Sequence, residues 1–594
     1  MMDSPASPKE KVHVLTIHLE DYFQVGTLRS VIPPKNWYRF ETRVEKNTVK
    51  TLELLEEHNL KATFFCLGWI ADQLPGLVRA VSEKGHEVAS KGYLHRSLRE
   101  MQPGEFRSDL IQSREAIERA TGKKVHGFRA ARGWMHEQDF WALDILAEEG
   151  FSYDSSFCPL GREFSGDRSQ RFAHRHKTSS HDIWEFPLST VSLLGFSLPI
   201  AGGNYLRQIP DFLMRRAVAH WDATCESPFV MYFHVWELDP QQPRINAAPL
   251  FQRIRQYRNL GKMSRVIPDY LSRYSFKSIA EFLDLPDQPA APHVVELNGS
   301  LGSRLFSLPS SHGRHAQARK PLKEPIPITI VVPCYNEELS LPYLANTLKS
   351  VEERLSPDYV ISYAFVDDNS KDATWETLQK IFGNFPRCDT IRHPRNLGVA
   401  AAIMTGIRNA KTELICSIDC DCTYDPHQLE SLLPLMEEGV DLVTASPYHP
   451  LGKVLNVPGW RLGLSKTLSA IYGLIVRQKL ATYTSCFRVY RRSTVAEIQL
   501  QESGFLGVAE MVILLDLLGR RIVECPAVLE VRLLGQSKMK VLRTILGHLR
   551  LIARLIWEKR DLRKNRLRDA HSGSIPKVST DGNSPSLPTA NQGR

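Results

Sequence analysis

Residues 286–327, PDQPAAPHVVELNGSLGSRLFSLPSSHGRHAQARKPLKEPIP, divide a 594-residue chain into two stretches that must each bury a core of their own. The segment is rich in Pro, Ser, Gly and basic residues, which reads as a linker. The length alone exceeds what one hydrophobic core supports. Before the linker, strand-like VHVLTI (12–17) is followed by a helix pattern near 45–58, the strand KATFFCL (61–67), a helix near 73–84 and the strand HEVAS. Helices near 105–120 and 137–149 come next, and the pattern ends after FKSIAEFLDL at 276–285. Beyond the linker a second alternation opens with ITIVVPCYNEE (328–338) and runs to about 535. Strands alternating with helices predict parallel α/β sheets in both halves.

Three segments of the second half place polar residues where strands should end. ITIVVPCYNEE breaks at Pro333 and continues into Tyr335, Asn336 and Glu337; YAFVDDNSKDAT ends in Asp367 and Asp368; ELICSIDCDCTYDP ends in Asp419-Cys-Asp421. Ligands of open α/β sheets bind beyond the carboxyl ends of the strands. Carboxylates gathered there repel one another unless a cation joins them. Two Asp at i and i+2 suit Mg²⁺ or Mn²⁺, hard ions that often keep diphosphate oxygens in their shell. Cys420 and Cys422 form a Cys-x-Cys pair, but no second pair follows at finger spacing, which argues against zinc there.

In this order, PCYNEE, VDDNSKDAT, RNLGVAAAIMTGI and DCDCTYDP resemble family 2 glycosyltransferases of the GT-A fold, in the dolichyl-phosphate mannose synthase-like branch. The resemblance covers roughly residues 326–540. It implies inverting transfer of a sugar from a nucleoside diphosphate sugar. It also implies that Pro333, Tyr335, Glu337, Asp367 and Asp368 hold the nucleotide, and that Asp419 and Asp421 bind the metal and diphosphate. TSCFRVYRR resembles a segment that places Arg488 near the acceptor or diphosphate; VRLLGQSKMK resembles one in which Arg532 and Lys538 face phosphate. Thr482 stands where many relatives have Asp, and Cys486 replaces a Gly. A hydroxyl acceptor needs a general base, for which Glu510 is a candidate. A phosphate monoester, with a second pKa of about 6, already carries an anionic oxygen at neutral pH. That favours a lipid-phosphate acceptor seated by cations.

The segment after the motifs fits such an acceptor. In MKVLRTILGHLRLIARLIWEKRDLRK, Leu542, Ile545, Leu546, Leu549, Ile552 and Ile556 recur at helical spacing among Lys and Arg. A helix of this kind lies in an anionic membrane interface or packs on the catalytic domain. Seventy-five Lys and Arg against 66 Asp and Glu give a net charge of +9, which suits an anionic partner. The basic residues cluster in the C-terminal helix and tail rather than among exposed aromatics, so nucleic acid is not the expected partner. Ten cysteines are too few for a disulfide framework; Cys66, Cys334 and Cys416 lie in apolar runs, as reduced cytosolic thiols do. MMDSPASPKEK has no apolar secretory core, and no long uncharged apolar run predicts a membrane span. A peripheral protein at the inner face of the cytoplasmic membrane is the expectation.

In the first half, LTIHLEDYF, FRAARGW, YDSSF, WEFP and YFHVWELDP resemble NodB-like polysaccharide deacetylases, carbohydrate esterase family 4, over roughly residues 10–285. The resemblance implies an irregular (β/α) barrel and metal-assisted removal of an N-acetyl group. Position by position the match is incomplete. His18 stands where the family has its Asp base. Glu20 or Asp21 fills the acidic metal position. Lys91 replaces the first of two His four apart, and His95 keeps the second. Arg129 precedes Ala131 rather than Pro, and His234 survives beside Trp236 and Asp239. Arg129 and Trp236 are the implied substrate contacts. A charged lysine has no lone pair and repels a divalent ion; it is expected to occupy the vacated cation site and pair with Glu20 or Asp21. A base role for His18, near neutrality at about 6.5, or a rearranged zinc site of His18, Asp21 and His95, stays open. So does a bifunctional enzyme with both sites working. The expected organisation is therefore residues 1–10 disordered, 11–286 deacetylase-like, 287–325 linker, 326–537 transferase, 538–568 basic amphipathic helix and 569–594 disordered.

Overall fold

The computed structural model describes residues 11–133, 135–159, 168–193, 196–290, 324–455, 459–535 and 546–557. Lys538, both termini and most of the linker lie outside the described residues.

The first half is built on strands β1 (Val12–Leu19), β2 (Thr63–Cys66), β3 (Glu87–Ser90), β4 (Gly127–Phe128), β5 (Tyr153–Asp154), β6 (His174–His176) and β7 (Ile183–Glu185). A hairpin, β8 (Thr190–Leu193) and β9 (Phe196–Pro199), precedes β10 (Val230–His234) and β11 (Ser275–Lys277). The main sheet runs β10-β1-β2-β3-β4-β5-β7-β6, with β11 also paired to β1. Every pairing in it is parallel except β6 with β7. Helices Val44–Glu57, Pro75–Glu83, Pro103–Thr121 and Trp141–Glu148 link the early strands. The parallel strands β1, β2 and β3 are buried on both faces, which is why they read as continuous apolar runs. Among the described residues the sheet does not close between β10 and β6, so the expected barrel is a half-barrel.

The second half forms a seven-stranded sheet from β12 (Ile326–Cys334), β13 (Tyr359–Asp367), β14 (Cys388–Arg392), β15 (Leu414–Ser417), β16 (Leu442–Ser446), β18 (Arg488–Arg491) and β19 (Ile522–Pro526). Short strands β17 (Lys453–Val454) and β20 (Val528–Leu529) pair separately. The order is β14-β13-β12-β15-β18-β16-β19, and only β18 runs antiparallel. Central β12 pairs with β13 on one side and β15 on the other, both parallel to it. The carboxyl ends of those three strands therefore share one edge of the sheet.

The two halves dock through apolar and polar contacts. Tyr343 and Leu534 of the second half belong to the hydrophobic core of the first, and the Phe40 ring meets Tyr343 at 4.9 Å. Arg39 donates to Asp425 at 2.7 Å. The side-chain amide of Asn246 donates to Gly535 O at 2.7 Å, and its backbone N–H donates to Leu533 O at 2.9 Å. After the sheet, helix 546–557 buries Leu551, Ile552 and Leu555 in the second half's core. Leu546, Leu549, Ile556 and Trp557 are exposed on it. Ile552, one of the apolar positions for which both a membrane interface and packing on the domain were open, is a packing residue. Leu542 and Ile545 lie outside the described residues. No described helix is long and apolar enough to cross a membrane.

Candidate active site

A cleft of about 810 Å³ opens at the shared strand edge and is lined by Pro333, Tyr335, Glu337, Asp368, Asp419, Asp421 and Arg532, among others. The strand register explains the convergence. Cys334 lies opposite Asp367, Val331 lies opposite Ser417, and each strand then releases its polar residues into the same space.

The carboxylates differ in their surroundings. Burial, reinforced by neighbouring Asp421, pushes the Asp419 carboxyl up to about 7, against the hydrogen bond from Cys486. Asp421 accepts from Thr423 N and Oγ1 at 3.1 and 2.9 Å, and its other oxygen faces Arg532 Nη1 at 3.4 Å. Arg532 also donates to Glu337. Burial works against the Arg532 charge, but Glu337 and Asp421 raise its pKa overall. Asp368 sits at the start of helix Val399–Asn409 and accepts from Leu397 N and Gly398 N, both at 2.7 Å, and from His393 Nδ1 at 2.8 Å. Gly398 has φ +103°, and a Cβ there would lie 2.5 Å from Ser503 O, so this turn requires glycine.

Three sequence expectations for this half do not match the geometry. Asp367 is fully buried outside the cleft, held by Arg392 Nε at 3.1 Å and by Ser370 N at 3.1 Å. Arg488 is fully buried, and its guanidinium donates to Val508 O at 2.8 Å and Tyr483 O at 2.7 Å. It braces the antiparallel strand, with its guanidinium turned to these backbone carbonyls. Glu510 is buried, accepts from Glu502 N at 2.8 Å and pairs with Arg554 of the C-terminal helix, which leaves it badly placed as a base. Thr482, at the position of the missing Asp, shares a hydrogen bond with Ser446 at 3.0 Å.

In the first half, His18 and His234 face one another at the ends of β1 and β10, with ring centroids 4.5 Å apart. Glu20 lies between them and the next loop. One of its oxygens meets Lys91 Nζ at 2.5 Å and His95 Nε2 at 3.3 Å; the other meets His234 Nε2 at 3.3 Å. His18, Glu20 and His234 have the spacing of metal ligands. Lys91 Nζ, however, is also 2.8 Å from His18 Nδ1. An ammonium at that point and a divalent ion exclude each other, so these residues as arranged do not fit a metal. Burial raises the Glu20 carboxyl, but Lys91 and then His95 outweigh it and hold Glu20 below the usual range. Burial lowers the pKa of Lys91 against the pull of Glu20.

His18 is not poised as a base. Burial, then Lys91, His234 and Arg129, push it well below its ordinary value, and its Nε2 lies 3.0 Å from the Arg129 guanidinium. Asp21 is not part of the cluster. It accepts from Thr42 Oγ1, Arg43 N and Val44 N at the start of helix Val44–Glu57, and burial raises it to about 6. Trp236 is buried against His234 at 5.0 Å and under Arg207, rather than presented to a ligand. Arg129 is buried too, bonded to Ser155 and Thr16.

Three family models match parts of the chain. Residues 33–149 match the polysaccharide deacetylase family, 155–284 a domain of unknown function (DUF3473), and 329–499 glycosyl transferase family 2. The chain joins a polysaccharide deacetylase domain to a family 2 glycosyltransferase domain. A dolichol-phosphate mannosyltransferase of Pyrococcus furiosus is 30% identical over 235 residues, 39% of this chain and 64% of the relative. A peptidoglycan-N-acetylglucosamine deacetylase of Bacillus cereus is 32% identical over 132 residues, 20% of this chain and 48% of the relative. The chain thus spans less than two thirds of either of these relatives. An undecaprenyl-phosphate mannosyltransferase of Micrococcus luteus is 29% identical over 218 residues, 36% of this chain and 87% of the relative. Among solved structures, mannosyl-3-phosphoglycerate synthase from Rubrobacter xylanophilus aligns at TM-score 0.31 and 17% identity, covering 44% of this chain and 79% of that one. A CE4 family pseudoenzyme from Bacillus anthracis aligns at 0.26 and 15%, covering 47% and 70%.

Sequence reasoning missed several residues of the transferase cleft. Asn246 and Arg253 belong to the first half, within the stretch that matches the domain of unknown function, yet both line it. Asn396 and Gly398 also line it, from within RNLGVAAAIMTGI. The Asn-Leu-Gly turn after a strand was their available signal; nothing in the sequence marks the other two.

Proposed function

We propose that this protein transfers a sugar from a nucleoside diphosphate sugar to a polyprenyl phosphate or related glycan acceptor, in envelope or exopolysaccharide synthesis. The observation that carries the reading is the meeting of Asp368, Asp419, Asp421, Glu337 and Arg532 in one cleft at the carboxyl ends of β12, β13 and β15. The mannosyltransferase relatives act, by their names, on dolichol phosphate and undecaprenyl phosphate.

Asp419 and Asp421 would hold Mg²⁺ or Mn²⁺; Asp419's raised proton affinity marks a carboxylate pair short of positive charge. Such an ion, when bound, neutralises the diphosphate leaving group. Tyr335 and Pro333 flank the place for the nucleotide, and Arg532 supplies a cation beside it. The acceptor phosphate oxygen attacks the anomeric carbon, the bond from that carbon to the diphosphate oxygen breaks, and the nucleoside diphosphate leaves with the electron pair. A phosphate acceptor needs no base, which suits a cleft whose candidate base, Glu510, is paired elsewhere.

The deacetylase domain, in this reading, has lost hydrolytic chemistry, because Lys91 occupies the cation position against Glu20 and His18. The exposed Leu546, Leu549, Ile556 and Trp557 of helix 546–557 support peripheral attachment at the inner face of the cytoplasmic membrane. A donor screen on the full-length protein tests the proposal, using UDP- and GDP-sugars with undecaprenyl phosphate, with and without Mn²⁺. Mn²⁺-dependent release of nucleoside diphosphate coupled to lipid glycosylation is the expected result. Failure of every donor to glycosylate the lipid would reject the lipid-phosphate acceptor, and no release of nucleoside diphosphate with glycan acceptors either would reject the transferase reading.

A further inference from the structure

The first half of the chain reaches into the transferase cleft, and this gives it a role that needs no metal. Among the described lining residues, Arg253 and Arg532 are the two cations. Arg532 is engaged by Glu337 and Asp421. Arg253 carries no carboxylate partner among the described residues. It lies on helix Leu250–Tyr257 of the first half, three residues from Leu250 and therefore beside it on the helix surface. Leu250, Phe251 and Ile254 of the same helix are 70%, 77% and 43% exposed. Phe505, 49% exposed, lines the cleft from the transferase side. An unpaired cation inside the cleft, with the exposed Leu250 beside it on the helix, matches one chemistry: an anionic phosphate on a long hydrocarbon chain.

We propose that Arg253 binds the phosphate of the lipid acceptor and that Leu250 holds the first part of its isoprenoid chain. The proposal rests on the transferase reading above. Asn246, four residues before the helix, fixes this element to the other side of the cleft through Leu533 and Gly535. Arg253 and Arg532 thereby line one cleft from the two halves of the chain. Fusion of the two domains then has a physical reason: each contributes one cation to a shared site.

The test uses the purified full-length chain with the sugar donor it accepts, comparing undecaprenyl phosphate with geranyl phosphate. Arg253→Ala should raise KM for both acceptors by about tenfold or more, with KM for the donor unchanged, and Arg253→Lys should recover part of the loss. Leu250→Ser should raise KM for undecaprenyl phosphate and leave geranyl phosphate much less affected. Both positions are solvent-accessible, and unchanged thermal unfolding confirms that the variants fold. Wild-type transfer combined with an unaltered acceptor KM in Arg253→Ala overturns the inference while leaving the transferase reading intact. A change in donor KM alone assigns Arg253 to the diphosphate and also overturns it. Donor binding with no transfer to either lipid defeats the lipid-phosphate acceptor of the transferase reading, and the inference with it.

Discussion

The Lys91 ammonium is hydrogen-bonded to Glu20 at 2.5 Å, with both side chains only 1% exposed. A buried lysine thus does electrostatically, with one charge, part of what a divalent ion would do among His18, Glu20, His95 and His234. The Glu20 carboxylate keeps its partners without a metal, and no position remains for a Lewis acid. Breaking such a buried pair from one side costs about 3–5 kcal/mol when a charge is left alone.

Lys91→His should convert the pocket into a metal site. The variant is expected to take up about one equivalent of Zn²⁺, because an imidazole would join three groups already at ligand spacing. Isothermal titration and elemental analysis of wild type and variant decide the matter. Stoichiometric Zn²⁺ in the wild type would show that the lysine does not block the site.

Mn²⁺ affinity of the transferase cleft should rise with pH. A metal binds the ionised carboxylate, and Asp419 is protonated below a pKa raised to about 7. Without metal, this raised carboxyl costs stability as pH climbs from its unfolded value, about 3.9, through about 7. With Mn²⁺ the sign reverses, because binding draws the proton off. The Mn²⁺-induced gain in Tm should therefore be larger at pH 8 than at pH 5.5, and Asp419→Asn should flatten the difference. An equal gain at both pH values would remove Asp419 from the site.

Arg39→Ala should loosen the domain interface. It removes the guanidinium from Asp425 and leaves that carboxylate with His427 alone, while the Arg39 carbonyl still accepts from Asn346. Asp425 is 34% exposed, so solvent screening keeps the cost at about 1–2 kcal/mol. Burial raises the Asp425 carboxyl, but His427 and Arg39 outweigh it and hold its pKa low. The stabilisation is therefore present above about pH 4 and is lost as pH falls below that. Urea denaturation of wild type and variant at pH 7 and pH 3 should give a difference that shrinks at the lower pH.

Gly398→Ala should damage the cleft without touching a charged group. A Cβ would collide with Ser503 O, and φ +103° is itself strained for an L residue, together costing about 2 kcal/mol or more. The two N–H donors to Asp368 would shift, so nucleotide affinity should fall with stability. Preserved nucleotide binding by calorimetry would count against a role for this turn.

Much of this is legible in the sequence because local chemistry marks it. VHVLTI, KATFFCL and HEVAS are apolar runs of strand length, and each appears as a buried parallel strand. The acidic strand ends of β13 and β15 are legible for the same reason: an apolar run stops abruptly at carboxylates. Individual side-chain directions are not. Arg488 sits inside a recognisable motif, yet it turns inward to two backbone carbonyls. Asp21 adjoins Glu20, yet it serves a helix start while Glu20 faces the pocket, because successive residues point to different sides.

By itself the sequence determined two α/β domains, the meeting of acidic strand ends in the second, and a lysine where a metal ligand belongs. Those are properties of periodicity and residue chemistry, which act over a few neighbours. The tertiary structure decided which carboxylates share a cleft, that Lys91 reaches both Glu20 and His18, and that the first domain lends Asn246 and Arg253 to the second. Asn246 meets Gly535 across 289 residues of chain. No local pattern encodes such a contact, because it arises only when two independently formed cores bury surface against one another.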